Sequence, residues 1–209
     1  SGVGGLSIAE TIRNQAANWR VDYAADSGFF PYGIKTDDEL RARLPHVCAA
    51  LVEVSQPDAL VIACNTASTL ALEDVRAVVP VPVVGTVPAI KPAAAMTQTG
   101  AIGVLATPGT VRRAYLDKLV SEFADGVEVV RHGAPGLVEL AERHVRGENL
   151  SQRRFDLEVK PLFAKPGGDK IDVVVLACTH FPLVRNQIGA ACPENVMLID
   201  TGDAITRQV

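Results

Sequence analysis

Two cysteines offer the clearest chemistry in this sequence. Cys64 ends the apolar run in DALVIACNTAST (residues 58–69), and Cys178 ends the one in DVVVLACTHFPL (residues 172–183). By subtraction, Asp58 and Asp172 stand 114 positions apart, and so do Cys64 and Cys178. A polar turn follows each thiol, Asn65-Thr66 in one case and Thr179-His180 in the other, and Pro182 stands where a helix would begin. A free thiol has a pKa of about 8.5, and the unpaired N–H groups and dipole of a helix start favour its ionised form. Such a thiolate can act as base or nucleophile. Two thiols placed alike in two related halves can reach one ligand from opposite sides, the geometry that inversion at a carbon stereocentre requires. One thiolate removes the α-proton and the opposite thiol delivers a proton to the other face.

The groups around these thiols are Ser1, Asn65, Thr66, Thr107, Thr110, Thr179 and His180, with no Arg or Lys in the immediate motifs. Hydroxyls, an amide and helix-start N–H donors can hold carboxylates without a formal cation. His180, two residues from Cys178, can exchange protons with a thiol or an amino group, although a hydrogen-bonded structural histidine is the ordinary reading elsewhere. Cys178 and His180 could also begin a zinc site, but no compact third ligand accompanies them, so no metal is expected.

The elements that must position these groups alternate between strand and helix. Strands are expected at residues 21–25, 59–63, 81–84, 101–107, 127–131, 173–177 and 196–199, and helices at 6–12, 67–78, 87–97, 111–123, 136–145, 157–164 and 183–191. Thr36 followed by Glu39 is a capping-box signature for a further helix, which Pro45 should kink or divide. The alternation argues for an α/β fold with mainly parallel sheets. The repeat extends downstream, since Thr86-x-x-Ala89-Ile90 after the first thiol matches Thr201-x-x-Ala204-Ile205 after the second. Two similar, pseudo-symmetric α/β domains are therefore expected, residues 1–91 with 200–209 and residues 92–199, with the active site in the cleft between them. SGVGG at the start lacks the full dinucleotide-binding pattern and its upstream strand, so no such cofactor is indicated.

Bulk properties narrow the partners. The 209 residues are 48% hydrophobic with mean hydropathy +0.19, as in a folded globule. A net charge of −4, with basic residues only in isolated pairs such as Arg112-Arg113 and Arg153-Arg154, gives no nucleic-acid footprint. No apolar run reaches the roughly 18–20 residues that span a bilayer, and no export signal precedes the fold, so a cytoplasmic protein is expected. The four cysteines include no C-x-x-C pair and read as reduced thiols, with Cys48 packing inside a helix and Cys192 at a helix end.

Taken together, SGVGGLS (1–7), FPYG (30–33), VIACNTAS (61–68), VPAIKP (87–92), IGVLATPGTV (102–111) and LACTHFPL (176–183) resemble the bacterial cofactor-independent aspartate/glutamate racemase family from end to end. The resemblance implies interconversion of L- and D-glutamate without a cofactor, supplying D-glutamate for peptidoglycan synthesis, by a homodimer. It implies that Cys64 and Cys178 are the catalytic acid/base pair, that His180 assists Cys178, and that Glu142 supports that side. It also implies that Ser1, Tyr32, Gly33, Asn65, Thr66, Thr179 and His180 contact substrate, with Thr107 and Thr110 beside them. On its own, Glu142 reads as an exposed helix carboxylate and Tyr32 as packing. The family pattern carries an Asp directly before Ser1 and a segment after the last residue here, so the chain is expected to be part of a longer one. A sibling aspartate or hydantoin racemase, a maleate isomerase, or a silent amino-acid-binding homologue remain as alternatives.

Overall fold

In the structure, a computed structural model describing residues 1–209, the chain forms two compact units. One comprises Ser1–Val87 with Thr201–Val209, the other Pro88–Asp200. Both are α/β with parallel strands.

The first unit pairs β1 (Leu60–Ile62) with β2 (Val83–Gly85), with α3 (Asn65–Arg76) as the crossover that a parallel pair needs. α1 (Gly5–Gln15) and α10 (Gly202–Thr206) contribute Ile8, Ile12 and Ile205 to a small cluster against Val61 and Val84. α2 (Asp37–Ser55) begins with the expected capping box: the Glu39 N–H donates to Thr36 Oγ1 (3.2 Å), and Glu39 Oε2 accepts from the Thr36 N–H (2.8 Å). Leu40, Leu44, Cys48 and Val52 recur every fourth residue along α2 and pack on Ala67, Ala71 and Val75 of α3.

Two expectations fail in this unit. α2 runs through Pro45 to Ser55 rather than dividing. The proline removes one ladder bond, but the buried stripe on both sides of it, Leu40 and Leu44 before and Cys48 and Val52 after, holds the helix. Residues 21–25 form no strand. They have no ladder partner and are held by side chains instead, the Tyr23 hydroxyl donating to the Gly2 carbonyl at 2.7 Å.

The second unit has four parallel strands, β3 (Ala101–Ala106), β4 (Glu128–Gly133), β5 (Val173–Ala177) and β6 (Met197–Ile199), in the order β4-β3-β5-β6. The chain leaves β3 for β4 on one side and returns to β5 on the other, so the winding reverses between β3 and β5. That reversal is where open α/β sheets bind ligands, beyond the C-terminal strand ends. Helices cover both faces. α4 (Ile90–Met96) and α6 (Ala114–Phe123) pack on Ile102, Val104, Val173 and Val175. α7 (Gly136–Val145), α8 (Gln152–Phe163) and α9 (Arg185–Ala191) pack on Leu105, Val174 and Leu176. Every residue of β3 and β5 is buried, hence their unbroken apolar sequence. A Cβ on Gly103 would lie 2.9 Å from Leu162 Cδ2, so the glycine lets α8 close onto the sheet.

Two helices are more broken than expected. Residues 111–123 divide into α5 (Pro108–Val111), capped by the Thr107 hydroxyl, and α6, with Arg112 and Arg113 between them. A 3₁₀ turn at Phe181–Val184, with Pro182 in its first turn, precedes α9.

Asp172, one position ahead of β5, ties down the turn that leads into β3. Its carboxylate accepts from Thr97 Oγ1 (2.6 Å) and from the N–H groups of Gln98 (2.7 Å) and Thr99 (3.1 Å). Burial is the largest influence and pushes this carboxyl up, but the hydrogen bonds together outweigh it and hold the pKa below its ordinary value. Asp172→Ala is expected to cost about 2 kcal/mol and to lower Tm by roughly 4–8 °C at neutral pH. A depressed carboxyl stabilises the fold above its unfolded pKa of about 4 and loses that contribution as the pH falls further. Thermal melts of wild type and variant should therefore differ at pH 7 and converge toward pH 3.

Candidate active site

In the first unit the end of β1 is fixed by hydroxyls. The Ile62 carbonyl accepts from Ser68 Oγ (3.0 Å), Thr86 Oγ1 (2.8 Å) and the Cys64 N–H (2.8 Å). Ser68 Oγ accepts in turn from the Thr86 N–H at 2.9 Å, which binds the end of β2 to the first turn of α3. Cys64, half-buried, is thereby held as the extended N-cap of α3, with φ −157° and ψ 116°. Asn65 and Thr66 follow, both buried. Asn65 Oδ1 is buried with no hydrogen-bond partner in the chain.

Tyr32 and Gly33 open a single 3₁₀ turn, Tyr32–Ile34, and Tyr32 packs in the same cluster as Cys64. The Tyr32 N–H donates to Ser1 Oγ at 3.3 Å, which brings these two expected substrate contacts together. Its hydroxyl donates to Asp26 Oδ2 (2.7 Å), and Arg43 grips the same carboxylate through Nε (2.6 Å) and Nη2 (2.7 Å). The Arg43 guanidinium holds the Asp26 carboxyl below its usual range. Burial, then Asp26, pushes the Tyr32 phenol far above its ordinary value, so it keeps its proton. Sequence reasoning missed Asp26 and Arg43. Their only trace is an acidic residue a few places ahead of a tyrosine, with its partner on a separate helix.

In the second unit, β3 and β5 are adjacent with Ala106 opposite Ala177, so Thr107 and Cys178, the next residue of each, leave the sheet side by side. Thr107 Oγ1 lies 3.1 Å from Thr110 Oγ1, and both threonines are buried, as are Cys178, Thr179 and His180. Cys178 Sγ is 3.8 Å from His180 Nδ1, and His180 Nε2 is 3.0 Å from Glu142 Oε1. A carboxylate only accepts, so Nε2 carries the hydrogen and Nδ1 presents a lone pair to the thiol. Burial pushes the His180 pKa below its ordinary value against the opposing pull of Glu142, which favours a neutral ring able to accept the thiol proton.

Glu142 departs from its reading as an exposed helix carboxylate. It is only 6% exposed, because α7 turns it, with Leu137, Leu140 and Ala141, toward the segment carrying His180. Its second oxygen stands 3.5 Å from Arg146 Nη2. The remaining cysteines are apart from these groups, and burial pushes the thiols of Cys48 and Cys192 up to about 11. No set of three or more His, Cys, Asp or Glu side chains is gathered as a metal ion would need.

A polar cluster at the C-terminal strand ends of each unit, with one cysteine leading each, defines an α/β enzyme of the acid/base type rather than a metal or nucleotide protein. Residues 5–209 match the Asp/Glu/Hydantoin racemase family, and the chain belongs to that family. The glutamate racemase of Sphingopyxis alaskensis is 51% identical over 209 residues, which are 100% of this chain and 78% of that protein. The crystal structure of Escherichia coli glutamate racemase, in complex with L-glutamate and the activator UDP-MurNAc-ala, aligns with a TM-score of 0.94 at 40% identity over 100% of this chain and 77% of that one. An aspartate racemase homologue from Pyrococcus horikoshii shares the fold at a TM-score of 0.56 and 20% identity, over 98% of this chain and 91% of that one.

Because His180 is held below its ordinary pKa, the unfolded chain takes up this proton first as the pH falls below about 6.5. The group therefore favours folding above that pH and weakens it below. Glu142→Gln removes the charge that partly offsets burial, so the imidazole C–H resonance of His180 should titrate at still lower pH than in wild type. An NMR titration that left the resonance unmoved would show that Glu142 does not act on the ring.

Proposed function

We propose that this chain is the main part of a glutamate racemase that interconverts L- and D-glutamate by two-base proton transfer, with Cys64 and Cys178 serving opposite faces of the α-carbon. The observation that carries this reading is the matched local setting of the two thiols. Each follows a parallel strand directly, each is followed by polar residues and a helical turn, and each unit has one. The resemblance to glutamate racemases, at 51% and 40% identity, favours glutamate over the substrates of more distant siblings.

The proton count closes in one turnover. With one sulfur as thiolate and the other as thiol, the thiolate takes the α-proton and leaves a carbanion, and the opposite thiol returns a proton to the other face. The product is the other enantiomer, with the protonation states of the sulfurs exchanged. His180 Nδ1, facing Cys178 Sγ, is the group through which that thiol would lose or regain its proton. Helix-start N–H groups at Asn65-Thr66, with the hydroxyls of Ser1, Thr107, Thr110 and Thr179, would hold the carboxylates. An α-ammonium supplies the donor that the buried Asn65 Oδ1 lacks. In the cell this reaction would supply D-glutamate for peptidoglycan synthesis in the cytoplasm. No helix is long and apolar enough to cross a membrane.

In D₂O, the full-length protein should wash out the α-proton of either glutamate enantiomer without added pyridoxal phosphate, and aspartate and hydantoins should exchange more slowly. Cys64→Ser and Cys178→Ser should each lower kcat/KM by about 10²–10⁴-fold. The loss falls on both directions together, because enantiomers have equal free energy. The sides are separated instead by the primary isotope effect of α-deuterated substrate, which should rise for one enantiomer in one variant and for the other enantiomer in the other. Two single variants that racemise at the wild-type rate would end the two-thiol reading.

A further inference from the structure

Asp26 and Arg43 are unused by the mechanism above, yet they form the tightest ionic contact of the first unit's site. Tyr32 has one hydroxyl hydrogen, and it is committed to Asp26 at 2.7 Å. The phenolic oxygen can then offer only lone pairs to its other neighbours. One of those neighbours is Cys64, which packs in the same cluster and whose charge is felt at the phenol. Behind Asp26, Arg43 closes a two-pronged grip from α2 and cancels the carboxylate's charge. The Phe29 ring braces the assembly: it meets Tyr32 edge-on with centroids 6.3 Å apart, and Arg43 and Lys35 lie over it at 4.8 and 4.4 Å. Guanidinium, carboxylate and phenol form one chain of polar contacts that ends at the first thiol.

From this geometry we infer that Asp26 is a positioning residue for the Cys64 half of the site, acting through the Tyr32 hydroxyl with Arg43 as its counter-charge. The inference rests on the reading of Cys64 as a proton-transfer group. In this role the pair fixes which way the phenol hydrogen points and keeps the field at Cys64 balanced. The same pair holds Tyr32, and with it the backbone N–H that reaches Ser1.

The two ends of this chain have effects of opposite sign. Asp26→Asn removes a negative charge, leaves Arg43 unbalanced, and frees the phenol hydrogen to bond a thiolate. All three changes favour ionised Cys64. Arg43→Met leaves the Asp26 charge uncompensated and disfavours it. Alkylation of Cys64 by iodoacetamide, followed by peptide mass spectrometry across a pH series, reads this directly in the full chain. The Asp26→Asn profile should move to lower pH by roughly half a unit or more, and the Arg43→Met profile to higher pH. Arg43→Lys, which keeps the charge, should stay close to wild type. In a Tyr32→Phe background the Asp26→Asn shift should shrink, because its route to Cys64 is partly removed. Shifts of the same sign in Asp26→Asn and Arg43→Met would indicate simple loosening of the loop and overturn the proposal, as would profiles that do not move. The readout needs no turnover, so wild-type protein that fails to exchange the α-proton of glutamate would refute the racemase reading and leave this result to be judged separately.

Discussion

The pairing of β3 with β5 is the constraint on which the second unit depends. Both strands are buried on both faces, so neither can carry a polar side chain along its length without leaving it unsatisfied. The first positions free of that restriction are the residues just past the ladder. The register sets Ala106 against Ala177 and so releases Thr107 and Cys178 at the same level. The polar chemistry of the unit gathers at this edge because the sheet excludes it elsewhere. At the opposite edge a polar side chain serves the fold instead, Asp172 being held by backbone N–H groups of the turn into β3.

The same constraint explains what the sequence reveals and what it hides. An apolar run that stops at a cysteine is visible because burial on both faces produces it, and so both thiols, the parallel α/β class and the span of β5 can be read directly. The capping box at Thr36 is equally legible, being a local exchange of hydrogen bonds between residues three apart. Features that depend on a distant partner are not. Residues 21–25 have the composition of a strand, but a strand exists only where another pairs with it. Pro45 predicts a break that four buried side chains override. Glu142 looks like any helix carboxylate until the fold sets it against His180, 38 positions away in sequence. Only resemblance to a family points to it beforehand. Asp26 and Arg43 leave no periodic trace at all, since an ion pair between a loop and a helix has no characteristic spacing.

The two cysteines share a backbone setting but differ in what stands behind them. Cys178 faces the lone pair of an imidazole whose other nitrogen donates to a buried carboxylate, an arrangement able to accept a proton and pass it on. Cys64 has no imidazole in its motif. Beside it stands a phenol whose hydrogen is already taken, so that group can orient the thiol but cannot act as its base. Each arrangement rests on a buried or half-buried carboxylate with an arginine near it, Glu142 with Arg146 and Asp26 with Arg43, though only the second arginine closes tightly.

That difference bears on how a racemase of this kind would work. Its two substrates are mirror images of equal energy, but the protein that handles them is not its own mirror image, and the two proton transfers need not be matched group for group. On the proposed reading, the sulfurs end each turnover in exchanged protonation states. A thiol with a neutral imidazole against it can be reset through that ring, whereas a thiol held by a fixed phenol depends on substrate or solvent for its proton. Burial keeps His180 neutral, and the Arg43–Asp26 pair keeps the Tyr32 hydrogen where it is. Each restraint prevents a neighbouring group from competing with its sulfur for the wrong proton. The repeated strand-and-cysteine motif provides the symmetry that inversion needs, and the residues behind it give each side its own acid/base character.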